Sequence, residues 1–285
     1  MAGPRMVVCA SHSPLMDGAD GGPGGARFID AIGEVADEVE RFDPELVVFF
    51  GPDHLRAFVD VVPSIAVVRS AVGYGDWGTP DTPYDVDRES ADAVAVTLLD
   101  AGFDVTVGDD VRLDHGFGQS WTQLIGDLDT VPIVPIVLNC ARPPLAPLSR
   151  ALGVGRTVGQ HFTNDTRRVL FLGSGGLSHS PPALETDTSH LSEDERRQFN
   201  LDRVREAGER VDPQWDDRVL AQLCDGDLDV LASMTSGEIL AAGVGANELR
   251  TWIAACAASP VSPHRRAYEP IPSWITGMGL IAGVA

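Results

Sequence analysis

Four of the seven histidines in this chain share one position, shortly after an apolar, strand-like run. They are His12 after residues 6–10, His54 after 46–50, His115 after 103–107 and His179 after 169–172. In an open α/β sheet the carboxyl ends of the strands line the ligand crevice, so imidazoles from separate parts of the chain can converge there. One such histidine alone more often caps a strand or fills a turn. Four in the same relative position favour a metal or proton-transfer centre.

The sequence alternates between strand-like and helix-like periods. The predicted strands are at about 6–11, 45–50, 61–68, 104–108, 132–138 and 168–173. The predicted helices are at about 27–41, 87–101, 116–126, 146–161, 192–209, 214–223 and 247–258. Continuous apolar strands such as 46–50 indicate a sheet that is covered on both faces and therefore largely parallel. We predict a single α/β domain over residues 1–285, with a mostly parallel or mixed central sheet, flanking helices and an active site at the strand carboxyl ends.

The charge of the chain excludes several classes of function. Its formal net charge is −21, which would repel a nucleic-acid backbone or an anionic membrane surface. All 21 basic residues are arginines, so a Schiff-base lysine, a P-loop lysine and a kinase-type lysine are excluded. We therefore expect neither nucleic acid nor membrane as a partner, and an anionic substrate would need a local basic pocket.

The cysteines carry no sign of a structural metal or disulfide framework. Cys9, Cys140, Cys224 and Cys256 are scattered, without a C-x-x-C pair. Buried free thiols are typical of a reducing cytoplasm. The sequence also lacks a signal-like apolar segment and any apolar stretch near ~18 residues. We expect a cytoplasmic protein.

Two of the histidine segments suit metal binding. Residues 11–14 (Ser-His-Ser-Pro) turn after the first predicted strand, and residues 52–54 (Pro-Asp-His) turn after the second. Imidazoles from adjacent strand ends are a natural pair of nitrogen ligands. A carboxylate would complete a 2-His-1-carboxylate facial triad, which leaves coordination positions open for other ligands.

The other two histidine segments suit proton transfer. Asp114 stands beside His115 just before a predicted helix, where its carboxylate can orient the imidazole or stabilise its charge. Residues 173–182 form a glycine-rich loop that presents His179 between two serines, and glycines let the backbone approach a ligand closely. A phosphate cradle is the competing interpretation of this loop, although no helix clearly begins within it.

Taken in order, these motifs resemble the class III extradiol ring-cleavage dioxygenases. The resemblance lies in residues 11–15, 52–54, 114–117 and 171–179, and it continues through 248–255 and 268–275, so it covers nearly the whole chain. In that family Fe(II) is bound by two histidines and one glutamate. The resemblance therefore implies that His12, His54 and Glu248 bind Fe(II) here.

The resemblance also implies a reaction and a division of roles. A catechol and O2 would be the substrates, in the catabolism of aromatic compounds. His179 would be the base that deprotonates the catechol, and His115 the acid that assists ring expansion, with Asp114 supporting it. The substrate would be a 3-substituted catechol such as 2,3-dihydroxyphenylpropionate, although the segment 183–200 is shorter than expected for enzymes of that specificity. We also expect a homo-oligomer.

The third metal ligand has alternatives within the sequence. Glu248 follows Asn247, a plausible helix N-cap, so the helix dipole would favour a carboxylate there even without a metal. Glu238 and Glu269 are the other candidates. The substrate carboxylate has three arginine candidates of equal weight, which are Arg142, Arg265 and Arg266. His161, His190 and His264 lie in polar or helical surroundings and are given no role.

Two other classes of function remain open. A zinc-dependent hydrolase could use the same two histidines and carboxylate with a metal-bound water. A non-enzymatic binding protein of the same fold is the second alternative, and the four strand-end histidines speak against it. A Ser-His-Asp hydrolase is disfavoured, because residues 173–175 (Gly-Ser-Gly) do not form a G-x-S-x-G turn.

Overall fold

A computed structural model describes residues 2–186, 188 and 190–285 of the chain. The strands are β1 (Arg5–Ala10), β2 (Leu46–Gly51), β3 (Ile65–Val68), β4 (Ala71–Gly73), β5 (Thr106–Gly108), β6 (Val111–Leu113), β7 (Ile133–Leu138), β8 (Val169–Ser174), β9 (His264–Ile271) and β10 (Thr276–Val284). The helices are α1 (Gly22–Phe42), α2 (Arg88–Asp100), α3 (His115–Leu124), α4 (Leu148–His161), α5 (Pro182–Glu185), α6 (Glu193–Leu201), α7 (Val204–Gly208), α8 (Pro213–Asp225), α9 (Leu228–Ala232), α10 (Ser236–Ala241) and α11 (Leu249–Ala258). Short 3-10 turns lie at Asp76–Gly78, Phe162–Asn164, Val244–Glu248 and Pro272–Trp274.

The main sheet is mixed and has the strand order β5-β3-β7-β2-β8-β1-β10-β9. Its centre consists of the parallel strands β7, β2, β8 and β1. The sheet continues with antiparallel pairs on both sides, β7 with β3 and β1 with β10. Every residue of the four central strands is buried, as expected for a sheet covered on both faces. The predicted α/β class with a mostly parallel or mixed sheet is confirmed.

Helices cover the sheet on both faces. On one face, α1 and α3 pack a core that includes Phe28, Ile32 and Trp121. On the other face, α2, α4, α8 and α11 pack a second core, to which α11 contributes Trp252 and Ile253. None of the helices that the described residues form is both long and apolar enough to cross a membrane.

The predicted elements are found, but some of their bounds differ. The strand expected at 61–68 begins only at Ile65, and the helix expected over 192–209 is divided into α6 and α7. Ser192 opens α6 with a capping box to Glu195, which fixes the start of the first half. Strands β4, β6, β9 and β10 were not predicted, and the residues of β9 alternate poorly and are largely exposed at the sheet edge.

The strand register explains why separate loops meet at one place. Ala10, at the end of β1, pairs with Ser174 at the end of β8, and Phe50 of β2 pairs with Gly173 of β8. The carboxyl ends of three adjacent parallel strands are therefore level with one another. The loops that follow them leave the sheet side by side, at the position where α/β sheets bind ligands.

Candidate metal centre

Three imidazoles meet at this edge of the sheet. His12, His54 and His115 each offer a ring nitrogen, and these atoms all lie within 4.8 Å of one another. The rings of His12 and His54 stand nearly perpendicular, at 88° with centroids 5.3 Å apart. The rings of His54 and His115 are stacked at 19° and 4.3 Å. The first two come from the predicted strand ends, whereas His115 begins α3 after β6, a strand outside the main sheet.

His12 is held from behind by two serines. Its Nδ1 lies 3.0 Å from the Ser174 Oγ, which in turn lies 2.7 Å from the Ser120 Oγ. The Nε2 of His12 is therefore the ring nitrogen that is available to the histidine cluster. Burial lowers the pKa of His12 to about 3, despite the opposing charge of Glu248. His12 is therefore a neutral imidazole at neutral pH, which is the form that binds metal ions.

Asp114 supports His54 rather than His115. The Asp114 Oδ2 accepts a hydrogen bond from the backbone N–H of His54 at 2.6 Å and lies 3.2 Å from its Nδ1. Asp114 is also the N-cap of α3, where its Oδ1 accepts from the Gly116 N–H at 2.9 Å. Asp114 makes no hydrogen bond to the His115 ring among those of the described residues, because the capping position directs its carboxylate towards the loop after β2, and it acts on His115 only through its charge.

The carboxylate that holds His115 is Asp76. Its Oδ2 lies 2.6 Å from the His115 Nδ1, and its Oδ1 accepts from the His115 backbone N–H at 2.8 Å. Asp76 is buried in the 3-10 turn after β4, with the Arg56 Nε 3.6 Å from its Oδ2. Sequence reasoning missed this residue. Its only signal was an acid within the glycine-rich segment 73–78, distant in sequence from every histidine.

Glu248 reaches the cluster from the start of α11. Its Oε1 lies 3.0 Å from the His54 Nε2 and 3.6 Å from the His179 Nε2, while its Oε2 accepts from the Gly176 N–H at 2.6 Å. The side chain is 2% exposed. Burial alone would raise the pKa of Glu248, but His179, His54 and His12 together hold it well below its usual value. The same contacts act on His54: burial lowers its pKa, but Asp114 and Glu248 together raise it well above the usual value.

The alternatives to Glu248 lie outside the cluster. Glu238 forms a capping box with Thr235 at the exposed start of α10, and Glu269 on β9 pairs with Arg27. Asn247 is not the N-cap of α11 as expected, since it belongs to a 3-10 turn and its Nδ2 donates to the Val244 carbonyl. Of the three candidate glutamates, the structure places Glu248 against the histidines.

His179 occupies a narrow slot between two glycines. Its Nδ1 lies 3.0 Å from the Leu177 carbonyl oxygen, and its own carbonyl accepts from the Gly245 N–H at 3.0 Å. A Cβ on Gly176 would come within 2.4 Å of the His179 ring, and one on Gly245 within 2.1 Å. The glycines of this loop therefore make room for the imidazole. The phosphate-cradle interpretation is not supported, because the amides of Gly176 and Ser178 already donate to carboxylates.

A cavity of about 500 Å³ opens onto the cluster. Its lining includes all four strand-end histidines, together with Trp77 and Arg142. Of the arginine candidates, Arg142 lines the cavity, whereas Arg265 and Arg266 project from β9 and pair with Asp217 and Glu38. A cavity of this size is in the range of sites for small organic ligands. The fold and the cluster define an α/β protein with a buried histidine–carboxylate centre at the floor of a ligand cavity.

Comparison with known proteins identifies the class more closely. Residues 6–279 match the family described as the catalytic LigB subunit of aromatic ring-opening dioxygenase, and the chain belongs to this family. A protein of Photorhabdus laumondii named 2,3-dihydroxyphenylpropionate/2,3-dihydroxicinnamic acid 1,2-dioxygenase is 35% identical, over 97% of this chain and 96% of its own length. A Rhodococcus protein of the same name is 37% identical over 98% of each chain. The family resemblance read from the motifs is confirmed.

The fold comparison agrees with this assignment. The crystal structure of an uncharacterized protein from Escherichia coli K12 matches with a TM-score of 0.52 and 14% sequence identity, covering 97% of this chain and 98% of that one. At this identity the match concerns the fold alone.

Proposed function

We propose that this chain is a non-haem Fe(II)-dependent extradiol dioxygenase that opens the ring of a 3-substituted catechol such as 2,3-dihydroxyphenylpropionate. Family membership and the names of the full-length relatives support the reaction class. The observation that carries the proposal is the buried meeting of His12, His54 and Glu248 at the floor of a cavity large enough for a substituted catechol. Two imidazoles and one carboxylate are the donor set of non-haem Fe(II) oxygenases.

The donor set fits a divalent cation. Glu248 is buried, and among the described residues its contacts are imidazoles and a backbone amide rather than an arginine. An ionised carboxylate without a permanent cation is costly to bury, and a bound metal ion would balance it. We assign the ligand role to His12, His54 and Glu248.

The ring planes support this choice over a set of three histidines. The lone pair of an imidazole nitrogen lies in the plane of its ring, so two histidines can share an ion when their planes cross near it. The planes of His12 and His54 are nearly perpendicular. The rings of His54 and His115 are stacked and almost parallel, so their planes do not intersect near the two rings. An ion therefore cannot lie in both ring planes close to both nitrogens. His115 is therefore better suited to proton transfer than to joint ligation with His54.

Fe(II) held by His12, His54 and Glu248 would supply a redox-active Lewis acid for the reaction of a catechol with O2. The protein then has to move protons. The Nδ1 of His179 faces a carbonyl oxygen, which can only accept, so Nδ1 carries a proton, and Nε2 is the nitrogen that faces Glu248 at 3.6 Å. Nε2 is therefore the atom through which His179 would take the proton of the catechol hydroxyl.

For His115 we propose the opposite role, that of the general acid. Its Nδ1 lies 2.6 Å from the Asp76 carboxylate, which can only accept, so Nδ1 carries a proton and Nε2 is the nitrogen left for proton transfer. A protonated His115 can donate from Nε2 during ring expansion. The Nδ1 partners of the two histidines thus differ, a carbonyl oxygen at His179 and a carboxylate at His115, and the base and acid roles are those that the family resemblance implies. Asp114 acts here through His54, whose position it fixes.

Arg142 is proposed to bind the carboxylate of the substrate side chain. It lines the cavity, its Nη1 donates to the Val59 carbonyl at 3.1 Å, and none of its contacts in the described part of the chain is an ion pair. Arg56, by contrast, pairs with Glu193, and Glu185 is neutralised by Arg210. An arginine with open donors offers a carboxylate charge-assisted hydrogen bonds.

Anaerobic loading with Fe(II), followed by O2 uptake on a panel of catechols, tests the proposed function. We expect one O2 to be consumed for each catechol and a yellow ring-fission product to form, with Fe(II) but not with Zn(II). The exposed His264→Ala variant serves as a matched control and should behave like the wild type. Hydrolytic activity of the Zn(II) protein without O2 uptake by the Fe(II) protein would refute the proposal in favour of a hydrolase.

A further inference from the structure

A buried carboxylate outside the histidine cluster holds the loop that carries His179. Asp216, in the first turns of α8, is completely buried. Its Oδ1 accepts from the Ser178 backbone N–H at 2.7 Å, and its Oδ2 accepts from the Ser178 Oγ at 2.7 Å. The Tyr268 hydroxyl of β9 also donates to Oδ2, at 2.7 Å. We propose that Asp216 is a positioning residue for His179, an inference that rests on the proposed function.

Ser178 is fixed through all of its polar atoms. In addition to its two bonds to Asp216, its Oγ accepts from the Asp212 N–H at 2.8 Å, and its carbonyl accepts from the Gly277 N–H at 2.9 Å. The residue directly before His179 is thus bound to the start of α8 on one side and to β10 on the other. A peptide held in this way has little freedom to rotate, so it sets the direction in which the His179 side chain leaves the backbone.

The neighbouring strand is shaped to admit this carboxylate. A Cβ on Gly277 would come within 2.0 Å of the Asp216 Oδ2, so any larger residue there would displace the carboxylate from Ser178. Burial raises the pKa of Asp216 to about 6, although the hydrogen bonds from Ser178 and Tyr268 lower it. Asp216 is thus ionised at neutral pH, and hydrogen bonds to a charged acceptor are stronger than those between neutral groups.

The position of the His179 imidazole depends on the hydrogen bonds of Asp216 because the space around the ring is narrow. His179 fits between Gly176 and Gly245, each of which approaches the ring more closely than a Cβ would allow. Gly245 fixes the loop from the α11 side by donating to the His179 carbonyl, and Asp216 fixes it from the α8 side. Loss of the Asp216 anchor should let the ring turn away from the catechol hydroxyl without disturbing the metal ligands.

The test compares Asp216→Asn with Asp217→Asn, the same chemical change at the next, exposed position of α8. Asparagine cannot accept from both Ser178 donors, because one oxygen is replaced by an amide group that also donates. We expect kcat for ring cleavage to fall about 10²-fold in Asp216→Asn, the cost of misplacing a reacting group by about 1 Å, with KM and iron content unchanged. Asp217→Asn should retain wild-type kcat.

A second readout does not depend on activity. In ¹⁵N-histidine-labelled, diamagnetic Zn(II)-loaded protein, the imidazole signals of His179, assigned with His179→Gln, report its tautomer and surroundings. They should move in Asp216→Asn and also in Gly277→Ala, which displaces the same carboxylate, but not in Asp217→Asn. Unmoved His179 signals in the Asp216 and Gly277 variants would overturn the inference. If the signals move but the wild-type protein cleaves no catechol, the positioning role stands and the proposed function fails.

Discussion

Replacing Gly245 with alanine tests how strictly the position of His179 governs turnover. Gly245 is not among the glycines with positive φ, so alanine is compatible with its backbone. The added Cβ would lie 2.1 Å from the His179 Nε2, where ordinary van der Waals contact begins at 3.4 Å. The ring, or the 3-10 turn that carries Gly245, must therefore give way by about 1.3 Å.

A shift of this size is enough to separate the base from its substrate. Misplacing a reacting group by about 1 Å can cost about 10²-fold in rate, so kcat of Gly245→Ala should fall by about that factor. The three heavy atoms nearest to the added methyl group all belong to the His179 ring, so the iron content should stay at the wild-type level when the ring is the part that moves. Steady-state O2 uptake gives kcat and KM, and a metal assay on the same samples gives the iron content.

The matched control is Gly33→Ala in α1. A Cβ there meets nothing within 4 Å, and alanine in a helix interior is favoured over glycine by roughly 0.5–1 kcal/mol. This variant should be fully active and slightly more stable. If Gly245→Ala turned over as fast as Gly33→Ala, or lost activity only through loss of iron, the argument from the His179 slot would be refuted.

Two further predictions concern the metal and the substrate. His12→Ala and His54→Ala should each lose stoichiometric iron while remaining folded, and wild-type iron content in both would contradict the ligand assignment. In His179→Ala, by contrast, the iron should stay bound and turnover should fall by roughly 10²–10⁴-fold. Arg142→Ala should raise KM for a catechol with a side-chain carboxylate by about 10-fold or more, because it removes the binding free energy of a hydrogen bond between charged groups. The KM for a neutral 3-alkylcatechol should not change. Arg266→Ala is the control, and equal effects on both substrates would refute the role of Arg142.

The centre of the fold could be read from the sequence because it depends on local patterns. Strands β1, β2 and β8 are continuous apolar runs, and each is buried on both faces as such runs predict. Elements at the margins were harder to predict. Strands β4 and β6 have three residues each, too few to show a period, and β9 is a polar edge strand whose pairing depends on β10.

The residues of the site, too, could be predicted only where they depend on local sequence patterns. His12 and His54 were found because they follow predicted strands, and sequence position implies spatial position at a strand end. Asp76 was missed because its link to His115 spans 39 positions and depends on a turn that no periodicity reveals. The hydrogen bonds of Asp114 to His54 could not be predicted, since adjacency in sequence pointed to His115 whereas helix capping directs the carboxylate to His54.

The most direct test of the proposed extradiol cleavage is mass spectrometry of the product formed from 2,3-dihydroxyphenylpropionate under ¹⁸O2 by the Fe(II)-loaded protein. We expect a coloured oxo-dienoate cut between the hydroxylated carbon and the carbon that bears the side chain. One labelled oxygen should lie in the new carboxylate and one in the new carbonyl group, when the product is trapped before exchange with water. A muconate-type diacid with both labelled oxygens in carboxylates would mean cleavage between the hydroxyl carbons and would contradict the proposed function.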